Sequence, residues 1–149
     1  MLNSIKKYFK QAKEENSREY ARHSSHGETP EGKDAPDASS SSLPKIWTGV
    51  DLDGTLAYYD STSTIDRVGE AVPAMLDLVR KMLNNGIRVK IFTARAQDPD
   101  QLPIIRKWLK ENNLPELEIT NIKDYYMQRL YDDRCIQVEK NTGRLIVET

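Results

Sequence analysis

The 149-residue chain is poor in the groups that mark disulfide-stapled, zinc-bound or membrane-spanning proteins. Cys135 is its single cysteine, which excludes an intrachain disulfide and a cysteine zinc cluster and points to a reducing interior. The two histidines, His23 and His26, both fall in a polar tail, so acid and base chemistry in the folded part must come from carboxylates. Apolar runs are short. None approaches the ~20 residues of a membrane span, and the amino terminus lacks the continuous apolar core of a secretory signal. No transmembrane segment is expected, and the cytoplasm is the expected location. Charge of one sign is missing as well. From residue 46 onward there are 14 basic and 16 acidic residues. A net charge of about −2 argues against a general polyanion binder while leaving room for a local basic groove.

Three regions are present. Residues 24 to 44 are rich in Ser, Asp, Glu, Gly and Pro, with Ala35, Ala38 and Leu43 their only apolar residues. Such a stretch cannot offset its ordering entropy, so residues 23 to 44 read as a disordered linker. Before it, Leu2, Ile5, Phe9 and Ala12 recur at helical spacing, with Lys6, Lys7, Lys10 and Lys13 ahead of the first acid, Glu14. Residues 1 to 22 therefore suggest a basic amphipathic helix, with contact to a membrane surface through residues 1 to 13, or binding of a partner, as its functional reading and a short helix that frays in solution as the alternative. Residues 45 to 149 are about the size of one domain and long enough for one core.

Within that domain, strand-like and helix-like patterns alternate. Strand patterns cover residues 46 to 51, 87 to 92, 117 to 120 and 129 to 132. A helix over 73 to 84 has Pro73 in its first turn and Val72, Met75, Leu76, Val79, Met82 and Leu83 on one face, and Gly86 marks its end. A second helix over 100 to 112 sets Leu102, Ile105, Trp108 and Leu109 on one side before Pro115. Residues 134 to 139 and 144 to 148 flank Lys140-Asn141-Thr142-Gly143 as a C-terminal β-hairpin, with Gly143 at a positive-φ position. This order predicts an α/β fold, Rossmann-like, with a mostly parallel sheet and helices on both faces. The interval from the third to the fourth strand, residues 121 to 128, is shorter than a normal parallel crossover, and one helical turn at 124 to 127 is expected there.

The chemistry gathers at the ends of the strand patterns. Asp51-Leu52-Asp53-Gly54-Thr55-Leu56 sets two carboxylates at i and i+2 where Ile46-Trp47-Thr48-Gly49-Val50 ends, so both leave the strand on one face while Gly54 permits a sharp turn. The alternatives are an acidic turn that closes a strand and a calcium-loop fragment, against which stand the lack of a glutamate at the EF-hand spacing and an apolar run in place of a preceding helix. Thr93-Ala94-Arg95 closes the second strand pattern, Lys123 follows Glu118-Ile119-Thr120-Asn121, and Asp132-Asp133 follows Leu130-Tyr131.

In this order the four segments resemble the four motifs of the haloacid dehalogenase (HAD) superfamily, whose members are mostly magnesium-dependent phosphatases. The similarity is greatest to small single-domain members with the Thr-Gly-Val-Asp-Leu-Asp-Gly-Thr-Leu, Phe-Thr-Ala-Arg and Asp-Asp-Arg pattern. The resemblance implies that Asp51 is the nucleophile and Asp53 the general acid and base. It implies a phosphate cradle of Thr93, the amides near Leu52 and Ala94, and Lys123, with Arg95 or Arg134 as alternative cations. It implies Mg²⁺ held by Asp51, the Asp53 carbonyl, Asp132 and Asp133.

Neither interval that holds a cap in such enzymes has room for one. There are 16 residues from 56 to 71 and 28 from 94 to 121, where an independent domain needs about 50. No cap domain is expected, and an open site suits a large phosphorylated substrate, with Tyr58 and Tyr59 in a small flap. The Asp132-Asp133-Arg134 triplet also resembles the phosphatase domain of phage-type polynucleotide kinases, which act on nucleic acid 3′-phosphates, although the hairpin that follows replaces the helix of that family. The other readings are a phosphotransferase and a non-catalytic module that binds a phosphate ligand.

Overall fold

The computed structural model describes residues 45 to 61 and 63 to 147, together with Lys10, Glu14 and Arg18, which are helical and exposed. The expected linker over 23 to 44 and the rest of the amino-terminal helix lie outside the described residues. The chain divides into two units, Met1–Ile46 and Trp47–Thr149.

The second unit is α/β. Its elements run β1 (Trp47–Val50), α1 (Pro73–Asn84), β2 (Val89–Phe92), a 3-10 turn (Ala94–Gln97), α2 (Gln101–Glu111), β3 (Glu118–Thr120), β4 (Met127–Tyr131), β5 (Gln137–Val138) and β6 (Leu145–Ile146). The first four strands form a parallel sheet in the order β3-β2-β1-β4. With β1 central, all four of its residues are buried, as a run of apolar and small residues in a parallel strand requires. Strands β5 and β6 form the expected hairpin, pairing Gln137 with Ile146 and Val138 with Leu145. Its turn uses positive φ at Asn141 and Gly143 and is closed by two Arg144 bonds to the Glu139 carboxylate.

Both helices end in the way their sequences predict. After α1, Gly86 takes φ 75° and Ile87 N donates to Met82 O. After α2, Asn113 takes φ 55° and Leu114 N donates to Leu109 O. Val79 and Met82 of α1 and Ile105, Trp108 and Leu109 of α2 are buried. They join Val50, Leu52, Leu56 and Ile91 in the core. The helices themselves differ from expectation. Among the described residues the sheet carries only α1 and α2, and these are neighbours, with Arg80 Nη2 donating to Asn112 O at 2.8 Å. Steps from β1 to β2 and from β2 to β3 run the same way across the sheet. Right-handed crossovers therefore set both helices on one face, where the sequence leads one to expect helices on both.

The other face explains the short third connection. Six residues, 121 to 126, carry the chain from β3 past β2 and β1 to the far edge. Three strand spacings are roughly 14 Å, a span that an extended segment of this length covers. In place of a helical turn the segment is extended, with one tight turn in which Met127 N donates to Asp124 O. Its anchor is Asp124, which accepts the Trp47 indole at 2.8 Å and the Tyr126 amide at 2.8 Å. Desolvation pushes the Asp124 carboxyl up, but those bonds and the nearby Lys90 charge outweigh it and hold the group below its usual range. Lys90, 6% exposed, lies 4.5 Å over the Trp47 ring and bonds Glu118 at 2.8 Å, so three strands and the connection share one polar network.

Reversal of strand order at β1 has a direct consequence for function. The chain leaves β1 toward β2 on one side and returns to β4 on the other, which opens a crevice beyond the carboxyl ends of β1 and β4. Asp51 follows β1 and Asp132 follows β4.

Candidate active site

Asp51 leaves β1 tied to its neighbour, its amide donating to Tyr131 O at 2.8 Å. The next six residues coil into a tight turn. Leu56 N donates to Asp51 O, Ala57 N to Leu52 O, and Gly54 N to Ala57 O, while Leu52, Leu56 and Ala57 sink fully into the core. Gly54 is required at its position for two reasons. Its φ is 92°, and a Cβ there would stand 2.8 Å from Asp133 Oδ2.

That close approach brings the two acidic segments together. Asp51, Asp132 and Asp133 each offer an oxygen, and these oxygens lie within 4.8 Å of one another. Thr55 locks the arrangement, since its hydroxyl accepts the Asp133 amide at 3.1 Å and donates to Asp133 Oδ1 at 3.3 Å. Arg134 N donates to Asp132 Oδ1 at 2.7 Å, which fixes the other carboxylate. Asp51 is 4% exposed, and its buried Oδ2 has no hydrogen-bond partner. Burial, followed by the Asp132 charge, raises the Asp51 carboxyl from 3.8 to about 7, against the lowering effect of the Leu52 amide and the Thr55 hydroxyl. A buried, partnerless carboxylate oxygen beside two further carboxylates is satisfied by a cation or a proton, and by little else.

Asp53 stands two residues on, with both oxygens taken by Arg95. Nε bonds Oδ2 at 2.7 Å and Nη2 bonds Oδ1 at 2.9 Å. Thr93 is 2% exposed, and its hydroxyl accepts the Arg95 amide at 3.2 Å, capping the 3-10 turn. Ala94, the next residue, lines a cavity of about 420 Å³ together with Asp53, Tyr59, Ser63, Thr64, Ile65, Arg95, Asp133 and Arg134. Lys123 is exposed in the connection that leads away from β3 and is not among these lining residues. Fold and sequence thus bring Asp51, Asp53, Ala94, Asp132 and Asp133 into one neighbourhood, with Thr93 buried at its edge and Lys123 outside the cavity wall.

Residues 58 to 70 form the mouth. Tyr58, Tyr59 and Ile65 are exposed, and the loop is held by its backbone: Trp108 Nε1 donates to Gly69 O at 2.7 Å, and Arg95 donates to the carbonyls of Thr64 and Ile65. Gly69 fits because a Cβ there would fall 2.1 Å from Tyr58 O.

The parts of the candidate site that sequence patterns do not single out are Thr55, Gly69 and Gln101, whose buried side-chain oxygen accepts Arg95 Nη1 at 3.0 Å. Thr55 and Asp133 are 78 positions apart, and no local signal pairs them. The sole hint is that Thr55 directly follows the turn glycine. No family model, curated protein or solved structure matches this chain.

Proposed function

We propose that the chain is a capless, Rossmann-like member of the HAD superfamily. In this reading it is a Mg²⁺-dependent phosphomonoester hydrolase that works through an aspartyl phosphate and accepts a large phosphorylated substrate at an open site, in the cytoplasm. The observation that carries the reading is the Asp51 carboxylate: it is buried, has one partnerless oxygen, and sits at the switch point of the sheet beside Asp132 and Asp133. No helix among the described residues is long and apolar enough to cross a membrane.

The three carboxylates form an all-oxygen donor set that suits a hard cation, to which the resemblance adds the Asp53 carbonyl, and Mg²⁺ bound there would neutralise charge between carboxylate and phosphate. Asp51 is the nucleophile: one of its oxygens bonds phosphorus in line with the leaving oxygen, and the phosphorus bond to that oxygen breaks. Asp53 gives its proton to the leaving alkoxide. A water then attacks the aspartyl phosphate and loses a proton to Asp53, which releases inorganic phosphate and restores Asp51. Thr93 and the Ala94 amide belong to the phosphoryl cradle. Arg134, which lines the cavity and forms no ion pair among the described residues, takes the cationic role for which Lys123 is poorly placed.

Phosphate release from 4-nitrophenyl phosphate, with and without Mg²⁺ and beside Asp51→Asn, tests this function. Turnover that needs both Mg²⁺ and Asp51 is the expected result. Equal turnover by Asp51→Asn would refute the aspartyl-phosphate mechanism. Binding of Mg²⁺ and phosphate with no release from aryl esters, phosphorylated nucleic acid ends or phosphopeptides would make the chain a binding module.

A further inference from the structure

Arg95 has all five guanidinium N–H donors engaged. Nε and Nη2 hold the two oxygens of Asp53. Nη2 also reaches Thr64 O at 2.9 Å, with a longer contact to Arg67 O at 3.4 Å. Nη1 bonds Ile65 O at 2.9 Å and Gln101 Oε1 at 3.0 Å. A guanidinium has five donors and no acceptor, so none remains for a phosphate. Although it borders the cavity, Arg95 is therefore not a phosphate ligand in this state.

We propose that Arg95 is a positioning residue that acts through Asp53, fixing the plane of its carboxylate and tying that orientation to the seating of the loop at residues 64 to 69. The inference rests on the reading of Asp53 as the proton donor. Two-point contact sets the carboxylate plane, which a point charge could not do. The fork itself cannot swing, because its other donors are fixed to Gln101, which is 3% exposed on α2, and to the loop carbonyls. Seen from the loop, the same bonds are a tether. Residues 58 to 70 expose Tyr58, Tyr59 and Ile65 and bury Val68, and Arg95 and Trp108 grip their backbone. Loss of the fork releases loop and carboxylate together.

Proton delivery then has a defined route. Of the three acceptors of Nη2, Arg67 O at 3.4 Å is the weakest, so the charge-assisted bond to Asp53 Oδ1 at 2.9 Å is kept. The fork uses one acceptor position on each Asp53 oxygen, so a proton carried at the other position passes to the leaving oxygen, as the phosphorus bond to that oxygen breaks, with the fork still in place. The need for this step grows with the basicity of the leaving group.

Two esters of similar size separate the possibilities. 4-Nitrobenzyl phosphate leaves as a strongly basic alkoxide and needs the acid, whereas 4-nitrophenyl phosphate leaves as a stable phenolate. In the full chain, Arg95→Lys is expected to lower the ratio of kcat/KM for the benzyl ester to that for the phenyl ester on the order of 10²-fold, the usual worth of a general acid. Inhibition by inorganic phosphate should hold, and added guanidinium should restore benzyl ester turnover selectively in Arg95→Ala. Equal losses on both esters with weaker phosphate inhibition would make Arg95 a phosphate ligand and overturn the proposal. Equal losses without guanidinium rescue would make it merely structural. Amide hydrogen exchange over residues 63 to 69 reads the tether without any substrate: it should accelerate in Arg95→Ala, and unchanged exchange would overturn the tether. If the wild type releases phosphate from neither ester, the phosphatase reading passes to the phosphorylated nucleic acid ends and phosphopeptides, and exchange alone decides whether Arg95 holds the loop.

Discussion

Replacing Asp51 by Asn should stabilise the metal-free protein above neutral pH while removing the proposed nucleophile. Burial and the Asp132 charge raise the Asp51 carboxyl from 3.8 to about 7, so the folded chain holds this proton more tightly than the unfolded chain does. The stability from that proton is complete below pH 3.8 and is lost as pH climbs through about 7. At 1.36 kcal/mol per unit the full drop is about 4 kcal/mol. Asn carries no such slope. It also offers an N–H₂ group to the neighbouring carboxylates where Asp51 Oδ2 has no partner. Urea denaturation in EDTA at pH 5 and pH 8 measures the difference. Part of the drop falls below pH 5, and the two pH units from 5 to about 7 carry the rest, so between pH 5 and pH 8 the variant should gain about 3 kcal/mol on the wild type. Adding Mg²⁺ at pH 8 should stabilise the wild type and leave the variant nearly unmoved, because binding to the folded state alone raises its stability. Parallel profiles for the two proteins in EDTA, or a wild type that is the more stable at pH 8, would refute the account of a buried, strained carboxylate.

Thr55→Val keeps the shape of the turn but removes both bonds to Asp133, so stability should fall by about 1 kcal/mol and divalent cation affinity by 10-fold or more, read by titration calorimetry. Unchanged affinity would mean that Thr55 does not set the Asp133 carboxylate. Gly69→Ala sets a Cβ 2.1 Å from Tyr58 O, a backbone atom that cannot rotate away. The loop must leave its seat on Trp108, so limited proteolysis should cut within residues 58 to 70, and resistance equal to that of wild type would count against the packing described.

Much of the fold is legible locally. Pro73 at the first turn of α1, Gly86 at its end and Pro115 beyond α2 act on the backbone within a few residues, and the structure places both helices within one residue of their expected bounds. β4 is less legible: it begins at Met127, two residues before the pattern suggests, because pairing with β1 draws Met127 beside Trp47 across a register shift. The face occupied by α2 is not legible at all, since an amphipathic helix states that one side is buried but not which side of a sheet buries it.

The same division holds at the candidate site. Asp51 and Asp53 are legible as a carboxylate pair at the end of a strand pattern, and Gly54 announces its turn by composition, but β1 ends at Val50 and the turn, not strand alternation, sets where each carboxylate goes. By itself the sequence therefore determined the carboxylate pair, the glycine beneath it, the strands and helices, and the hairpin after β4. Tertiary structure alone decided that β4 returns beside β1 through six residues, that Thr55 seats Asp133, that Arg95 commits all its donors to Asp53, Gln101 and the loop, and that Lys123 is exposed and not part of the cavity wall. The physical reason is range: backbone preference and hydrophobic period act over a few residues, whereas strand order and side-chain pairing are chosen by packing the whole sheet at once.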